Sequence, residues 1–214
     1  MKFVGDGGDK ALHDAIETIE KASAAEIVIS IRAHARRFLV PHAIVGVIAA
    51  AAVLAFTLYS DREFALWEIL ALPLVTGVVG VLAVEVIAPL YRFLTPSQIR
   101  HEHVHDTARV VFVGRKVHAT TKRTGILVFI ALRERIVELV GDVAVVDNVG
   151  ATTLDAWSRK LEAEIGNGAT AMAKALAALA DDLARALPHH AGDTNELPDT
   201  IDLPRDRRRF RGAR

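Results

Sequence analysis

The 214-residue chain contains no cysteine. That excludes disulfides, thiolate metal ligands and a cysteine nucleophile, and it agrees with a reducing compartment. Lysine plus arginine and aspartate plus glutamate number 26 each, so no excess of charge marks the chain as a nucleic-acid binder. A nucleophile elbow, a phosphate-cradling glycine loop and a zinc-protease motif are also missing. Gly5-Asp-Gly-Gly8 is not followed by the elements that nucleotide binding requires. The opening MKFVGDGGDK has no apolar core, so no cleavable signal peptide is expected.

What the chain does have is apolar length. Residues 38–60 and 64–90 form two apolar runs of 23 and 27 residues. As a helix the first would be about 35 Å long, against a hydrocarbon core of about 30 Å. Tyr59, Trp67 and Tyr91 fall where interfacial aromatics are expected. The linker Asp61-Arg62-Glu63 is short, so the runs predict a transmembrane helical hairpin over 38–90 with both ends on one side. Arg32, Arg36 and Arg37 precede it, and Arg92 and Arg100 follow, against Arg62 alone in the linker. The positive-inside rule then predicts a two-pass membrane protein with both termini and the α/β domain cytoplasmic. Glu85 lies inside the second run, where ionisable groups are costly; reach to the nearby interface is the simpler account.

The remaining sequence reads as a split α/β domain, 9–32 and 95–188. Leu12, Ile16 and Ile19 recur at helical spacing after a capping Asp9. EIVISIR (26–32) is a strand by β-branched content. Thr95-Pro-Ser-Gln98 predicts a capping box that opens a helix running to about His118. GILVFIAL (125–132) suits a strand buried on both faces, and residues 135–140 return antiparallel. Val143–Val146 extends the sheet or turns. Leu154, Trp157, Leu161 and Ile165 mark one helix, and Met172, Leu176, Leu179, Leu183 and Leu187 another. Residues 189–214 are expected to be a disordered tail, with six arginines over 205–214 drawn to anionic lipid. The first two strands should pair in parallel through the hairpin crossover, which places Glu26, Arg123 and Asp142 at one end of the sheet.

The order Ser23-Ala-Ala-Glu26-Ile, Thr121-Lys-Arg-Thr-Gly125-Ile-Leu-Val-Phe, Glu134-Arg135-Ile-Val-Glu and Gly141-Asp142 resembles the TPM-domain family over roughly 9–32 and 97–188. The resemblance implies a small Rossmann-like αβ sandwich, a mixed sheet covered by helices, here interrupted by the hairpin. It also implies a candidate acidic site, because some relatives bind calcium and phosphatase activity has been attributed to others. Glu26 and Asp142 match the family's acidic positions.

Two accounts of that end of the sheet follow. Glu26, Asp142 and Asp147, with backbone carbonyls, would offer oxygens to a divalent cation such as calcium. Alternatively Glu26 pairs with Arg123 as a strand-edge ion pair. His101 and His105 share a helix face at a spacing used by zinc sites, beside His103, Glu102 and Asp106, but no third ligand is near in sequence and a solvated first turn of a membrane-proximal helix is the expected reading. The expected function is a binding, assembly or quality-control module for other membrane proteins. The expected partners are the bilayer, other membrane proteins and further copies of the chain, with no nucleic acid. A metal-assisted phosphatase is the alternative.

Overall fold

In the computed structural model, residues 3–5, 7–35, 39–189, 196–197 and 201–202 are described, with the side chains of Glu85, Ala88 and Leu90 outside that description. The arginine-rich stretch 205–214 and the Arg36-Arg37 pair also lie outside the described residues. The chain divides into two compact units, one of residues 1–35 and 101–214 and one of residues 36–100.

The first unit opens with α1 (Gly8–Ala22) and β1 (Glu26–Arg32). Gly7, not Asp9, holds the N-cap of α1. The second unit contains α2 (Val40–Tyr59), α3 (Leu66–Val86) and α4 (Ala88–Leu94). Helix α5 (Ser97–Gly114) leads back, followed by a 3-10 turn over Val117–Ala119. Then come β2 (Gly125–Ala131), β3 (Ile136–Gly141), α6 (Val143–Val149) and α7 (Ala151–Glu164). Helices α8 (Ala169–Ala177) and α9 (Ala180–Ala186) precede a two-residue strand, β4 (Ile201–Asp202).

The sheet has the order β3-β2-β1-β4. β1 pairs with β2 in parallel from Glu26↔Gly125 to Arg32↔Ala131, and β3 runs antiparallel to β2. Alternation splits the side chains between two cores. Ile27, Ile29, Ile31, Ile126, Val128 and Ile130 pack with Leu12, Ile16, Leu161, Met172 and Leu176 on one face. Val28, Leu127 and Phe129 pack with Val104, Ala108 and Phe112 of α5 on the other. The continuous apolar run of β2 is therefore buried on both faces, as parallel central strands require.

Gly125 is set by space. A Cβ there would lie 2.1 Å from the carbonyl oxygen of Val117, so only glycine lets the 3-10 turn close over the start of β2.

Several expectations change. Val143–Val146 is helix, because the Asp142 side chain accepts from the Val143 N–H at 2.8 Å and caps it. The Thr95 capping box does not form. Thr95 instead closes α4 through its N–H to the Tyr91 carbonyl, its buried hydroxyl finds no partner among the described residues, and the Pro96 carbonyl accepts the first bond of α5 from Arg100. The second apolar run breaks at Ile87 (φ −96°, ψ 88°), because Pro89 lacks an N–H and its ring clashes with the turn before it. The tail expectation fails at Ile201–Asp202, which pair in parallel with Ile29–Ser30.

In the second unit, α2 and α3 are each long and apolar enough to cross a membrane, and only 22% and 17% of their apolar stretches are buried. They touch through small residues. A Cβ on Gly46 would meet Val81 at 2.7 Å and the Gly77 carbonyl oxygen at 3.0 Å. The Glu68 carboxylate caps the start of α3 by accepting from the Ala65 N–H at 2.9 Å. His42 and Tyr91 meet with ring centroids 6.2 Å apart.

Gly125→Ala should destabilise the α/β unit by about 3 kcal/mol, the scale of severe overpacking. Denaturant titration of the purified chain followed by tryptophan fluorescence checks this, and a loss below about 0.5 kcal/mol would mean that the 3-10 turn shifts freely.

Candidate functional site

The backbone brings Glu26, Gly125 and Asp142 side by side, since Glu26 is opposite Gly125 and Asp142 donates its N–H to the Gly125 carbonyl at 2.9 Å. What the side chains do there differs from a metal site. The buried Glu26 carboxylate accepts from the Glu196 N–H through Oε1 (2.8 Å) and from the Leu197 N–H through Oε2 (2.7 Å). Asp142, 4% exposed, gives Oδ1 to the Val143 N–H. Its Oδ2 lies 3.1 Å from Nε of Arg123, too poorly aligned for a hydrogen bond.

Arg123 has φ 57°, in the left-handed region. Its N–H donates to the Thr120 carbonyl, its own carbonyl accepts from the Ala144 N–H, and its guanidinium donates to the His118 carbonyl at 2.8 Å. It is a turn residue whose half-exposed guanidinium faces Asp142. The Glu26–Arg123 ion pair is therefore replaced by Asp142–Arg123.

Among the described residues no three His, Asp or Glu side chains converge as a metal ion would need. The Glu26, Asp142 and Asp147 cation site does not form, because main-chain N–H groups and a guanidinium occupy the first two carboxylates. A cavity of about 480 Å³ at this end is lined by Ala24, Lys122, Thr124, Asn148, Leu187 and Pro188, and by none of those carboxylates.

A second cleft, about 460 Å³, contains His101, His105, Glu138, Asp155, Arg159 and Glu162. His105 Nδ1 is 2.6 Å from Glu138 Oε1, and His101 Nε2 is 3.7 Å from Glu162 Oε1. The helical spacing does put both histidines in one cleft, but each faces its own carboxylate, and among the described residues no third ligand joins them. Glu138 and Glu162 were not legible as partners because they come from β3 and α7. Glu162 has a further task. β3 is an edge strand, and its outward N–H groups at Val137 and Leu139 donate to Glu162 Oε1 (3.3 Å) and Ser158 Oγ (3.1 Å), one helical turn apart on α7. That covers the edge. Burial raises the pKa of Glu162 above 4.5, partly offset by the Val137 N–H and His101; Glu138 adds to the rise and Arg159 opposes it.

The third cluster escaped the sequence reading. Asp202, 5% exposed, receives Nη2 of Arg32 at 2.7 Å, Nη2 of Arg115 and the Ser30 hydroxyl at 3.3 Å, all on Oδ2. Thr121 adds its N–H (2.8 Å) and hydroxyl (3.0 Å) to the Glu196 carboxylate. The clue was the apolar Leu197, Ile201 and Leu203 scattered in a polar tail.

The class these observations define is an α/β protein with a four-stranded mixed sheet and two helices apolar enough to cross a membrane. The chain is similar to the NMR structure of BA42 protein from the psychrophilic bacterium Bizionia argentinensis, with a TM-score of 0.54 over 94% of each chain at 19% identity. At that identity the likeness speaks for the fold alone. No family model and no curated protein matches the chain.

Two predictions follow from these sites. Asp142→Ala should cost about 1–2 kcal/mol through the lost cap, while Asp142→Asn retains most of it, in thermal melts. Calcium should leave the wild-type midpoint unchanged; a calcium-dependent rise abolished in Asp142→Ala would restore the metal assignment. Glu162→Gln tests the half-buried carboxyl. The folded state holds its proton more tightly than the unfolded chain, so the wild type is at no disadvantage below pH 4.5 and loses stability as pH rises through the folded pKa. The variant should melt with the wild type in acid and above it at neutral pH. A variant less stable at neutral pH would show that the ionised form is the favoured one.

Proposed function

We propose that the chain is a membrane-held binding and assembly module for other membrane proteins, built on a TPM-like, Rossmann-like domain. The observation that carries this reading is the exposed apolar surface of α2 and α3, inserted between β1 and α5. A core helix of a soluble protein would bury most of such a surface, whereas 22% and 17% are buried here. Lipid and other transmembrane helices are its natural contacts. The TPM-like assignment draws support from the motif order around Glu26, Gly125 and Asp142. The Rossmann-like description draws support from the parallel β1–β2 pair with helices on both faces.

The hairpin is read as two-pass in the bacterial inner membrane, with the α/β domain in the cytoplasm. The flanking Arg32, Arg92 and Arg100 against the lone Arg62 support that orientation. The phosphatase alternative is weaker, since the carboxylates it would use are engaged by main-chain N–H groups and Arg123.

Because the chain has no cysteine, single cysteines report cleanly. Arg62→Cys should be labelled by an impermeant maleimide in intact cells, and Gly168→Cys should be labelled only after lysis; the reverse pattern would overturn the orientation. A photo-crosslinking residue at Val47 should capture other membrane proteins. Capture of lipid alone would overturn the assembly role.

A further inference from the structure

We propose that the cavity lined by Thr124, Asn148 and Lys122 is a binding site for a small aliphatic monocarboxylate. The carboxylate head takes donors from those three residues, and the apolar body lies on Ala24, Leu187 and Pro188. A ligand of this kind goes beyond the membrane-held module above, and the site does not depend on that reading.

Thr124 is the central group. It is 6% exposed and lines the cavity. Its main chain is pinned on both sides: the N–H donates to Thr120 Oγ1 at 3.1 Å, and the carbonyl accepts from the Glu26 N–H at 3.2 Å. Its hydroxyl makes no hydrogen bond to any described residue. A hydroxyl placed so deep needs a partner, and the cavity is the space that admits one. Asn148, on α6, spends one amide N–H on the Ala144 carbonyl at 2.7 Å. Its second N–H and its amide oxygen remain. Lys122 brings an ammonium to the lining, and a single contact elsewhere does not use up its three N–H donors.

These groups set the charge and shape of the ligand. Among the described residues the lining holds one ammonium and no carboxylate. A carboxylate head only accepts, so it satisfies a hydroxyl, an amide N–H and an ammonium together. An amine would meet Lys122 as a like charge, and a phosphate dianion would bring two charges against one. The rest of the wall is apolar and stands ready before a ligand arrives. The Ala24 N–H donates to the Leu187 carbonyl at 2.9 Å, and Ser23 pairs with Pro188 in a β-bridge. Walls fixed in this way lower the ordering cost of binding. The volume of about 480 Å³ suits a small molecule.

The test uses the full chain in lipid nanodiscs, with hexanoate as the probe and empty nanodiscs as the blank for partition into lipid. Calorimetric titration should show one saturable site. Thr124→Val removes the hydroxyl without breaking a hydrogen bond among the described residues. It should therefore melt no lower than the wild type by circular dichroism, yet bind hexanoate about tenfold more weakly. Thr124→Ser should bind like the wild type. Lys122→Gln, at an exposed position, should also weaken binding about tenfold, and it serves if Thr124→Val unfolds. Hexanol and hexylamine, which keep the chain and lose the carboxylate, should bind about tenfold more weakly than hexanoate or not at all. Absence of saturable hexanoate binding to the folded wild type would overturn the site. So would hexanoate binding that Thr124→Val and Lys122→Gln leave unchanged, and so would hexanol or hexylamine binding as tightly as hexanoate. Inorganic phosphate that displaces hexanoate at equal concentration would overturn the carboxylate assignment.

Discussion

The parallel pairing of β1 with β2 is the constraint on which the rest of the α/β unit hangs. It joins Glu26 to Gly125 and Arg32 to Ala131, residues separated by the whole of α2 to α5. Non-local pairing costs loop-closure entropy, but that cost grows only logarithmically with length. The insertion also folds within itself: α2 and α3 contact along Gly46, Gly77 and Gly80, and His42 meets Tyr91 near its two ends. A hairpin that brings its own ends together behaves as a short connection. Strong apolar strands then complete the pairing, with Ile29, Ile31, Leu127, Val128, Phe129 and Ile130 all fully buried.

A four-stranded sheet has two edges, and several acidic side chains of the α/β unit are engaged beside them. Ser158 and Glu162 cover β3, while Glu20 and Glu26 act on the β1 side. Each carboxylate accepts main-chain N–H groups, those of Val137, Ile27, Glu196 and Leu197, and an N–H left buried without a partner costs about 1–3 kcal/mol. This is why an acidic end of the sheet is not by that fact a cation site. Oxygens already engaged by N–H donors are poor ligands, and calcium needs about six to eight oxygens.

Much of the fold was legible in the residues, and the failures have physical causes. β1 and β2 followed from β-branched content, and a helix after the hairpin from the Thr95-Pro-Ser-Gln98 start signal. The two apolar helices followed from length. Val143–Val146 misled because β-branched residues favour strands, yet the cap from Asp142 and the close packing of Val145 on Gly141 made it helix. β4 was illegible because two residues have no period to detect. Of the candidate site, the neighbourhood of Glu26, Gly125 and Asp142 was legible from strand order. The partner of each carboxylate was not, since Glu196, Leu197 and Arg123 enter from turns and from the tail.

The Asp202 cluster bears on why so short a strand is held in one register. Hydrophobic pattern fixes register in a long strand, where a slip by one residue turns every side chain over. A two-residue strand has only Ile201 to signal its facing. Buried ion pairs contribute little net stability, because desolvation cancels most of the attraction, and their best-attested use is to specify one arrangement among several. Arg32, Arg115 and Ser30 all meet a single oxygen of Asp202. A slip by one residue either way would bring Leu203 or Ile201 opposite them and leave the guanidiniums without a carboxylate. The cluster thus sets the register of β4 by penalising the registers one residue to either side.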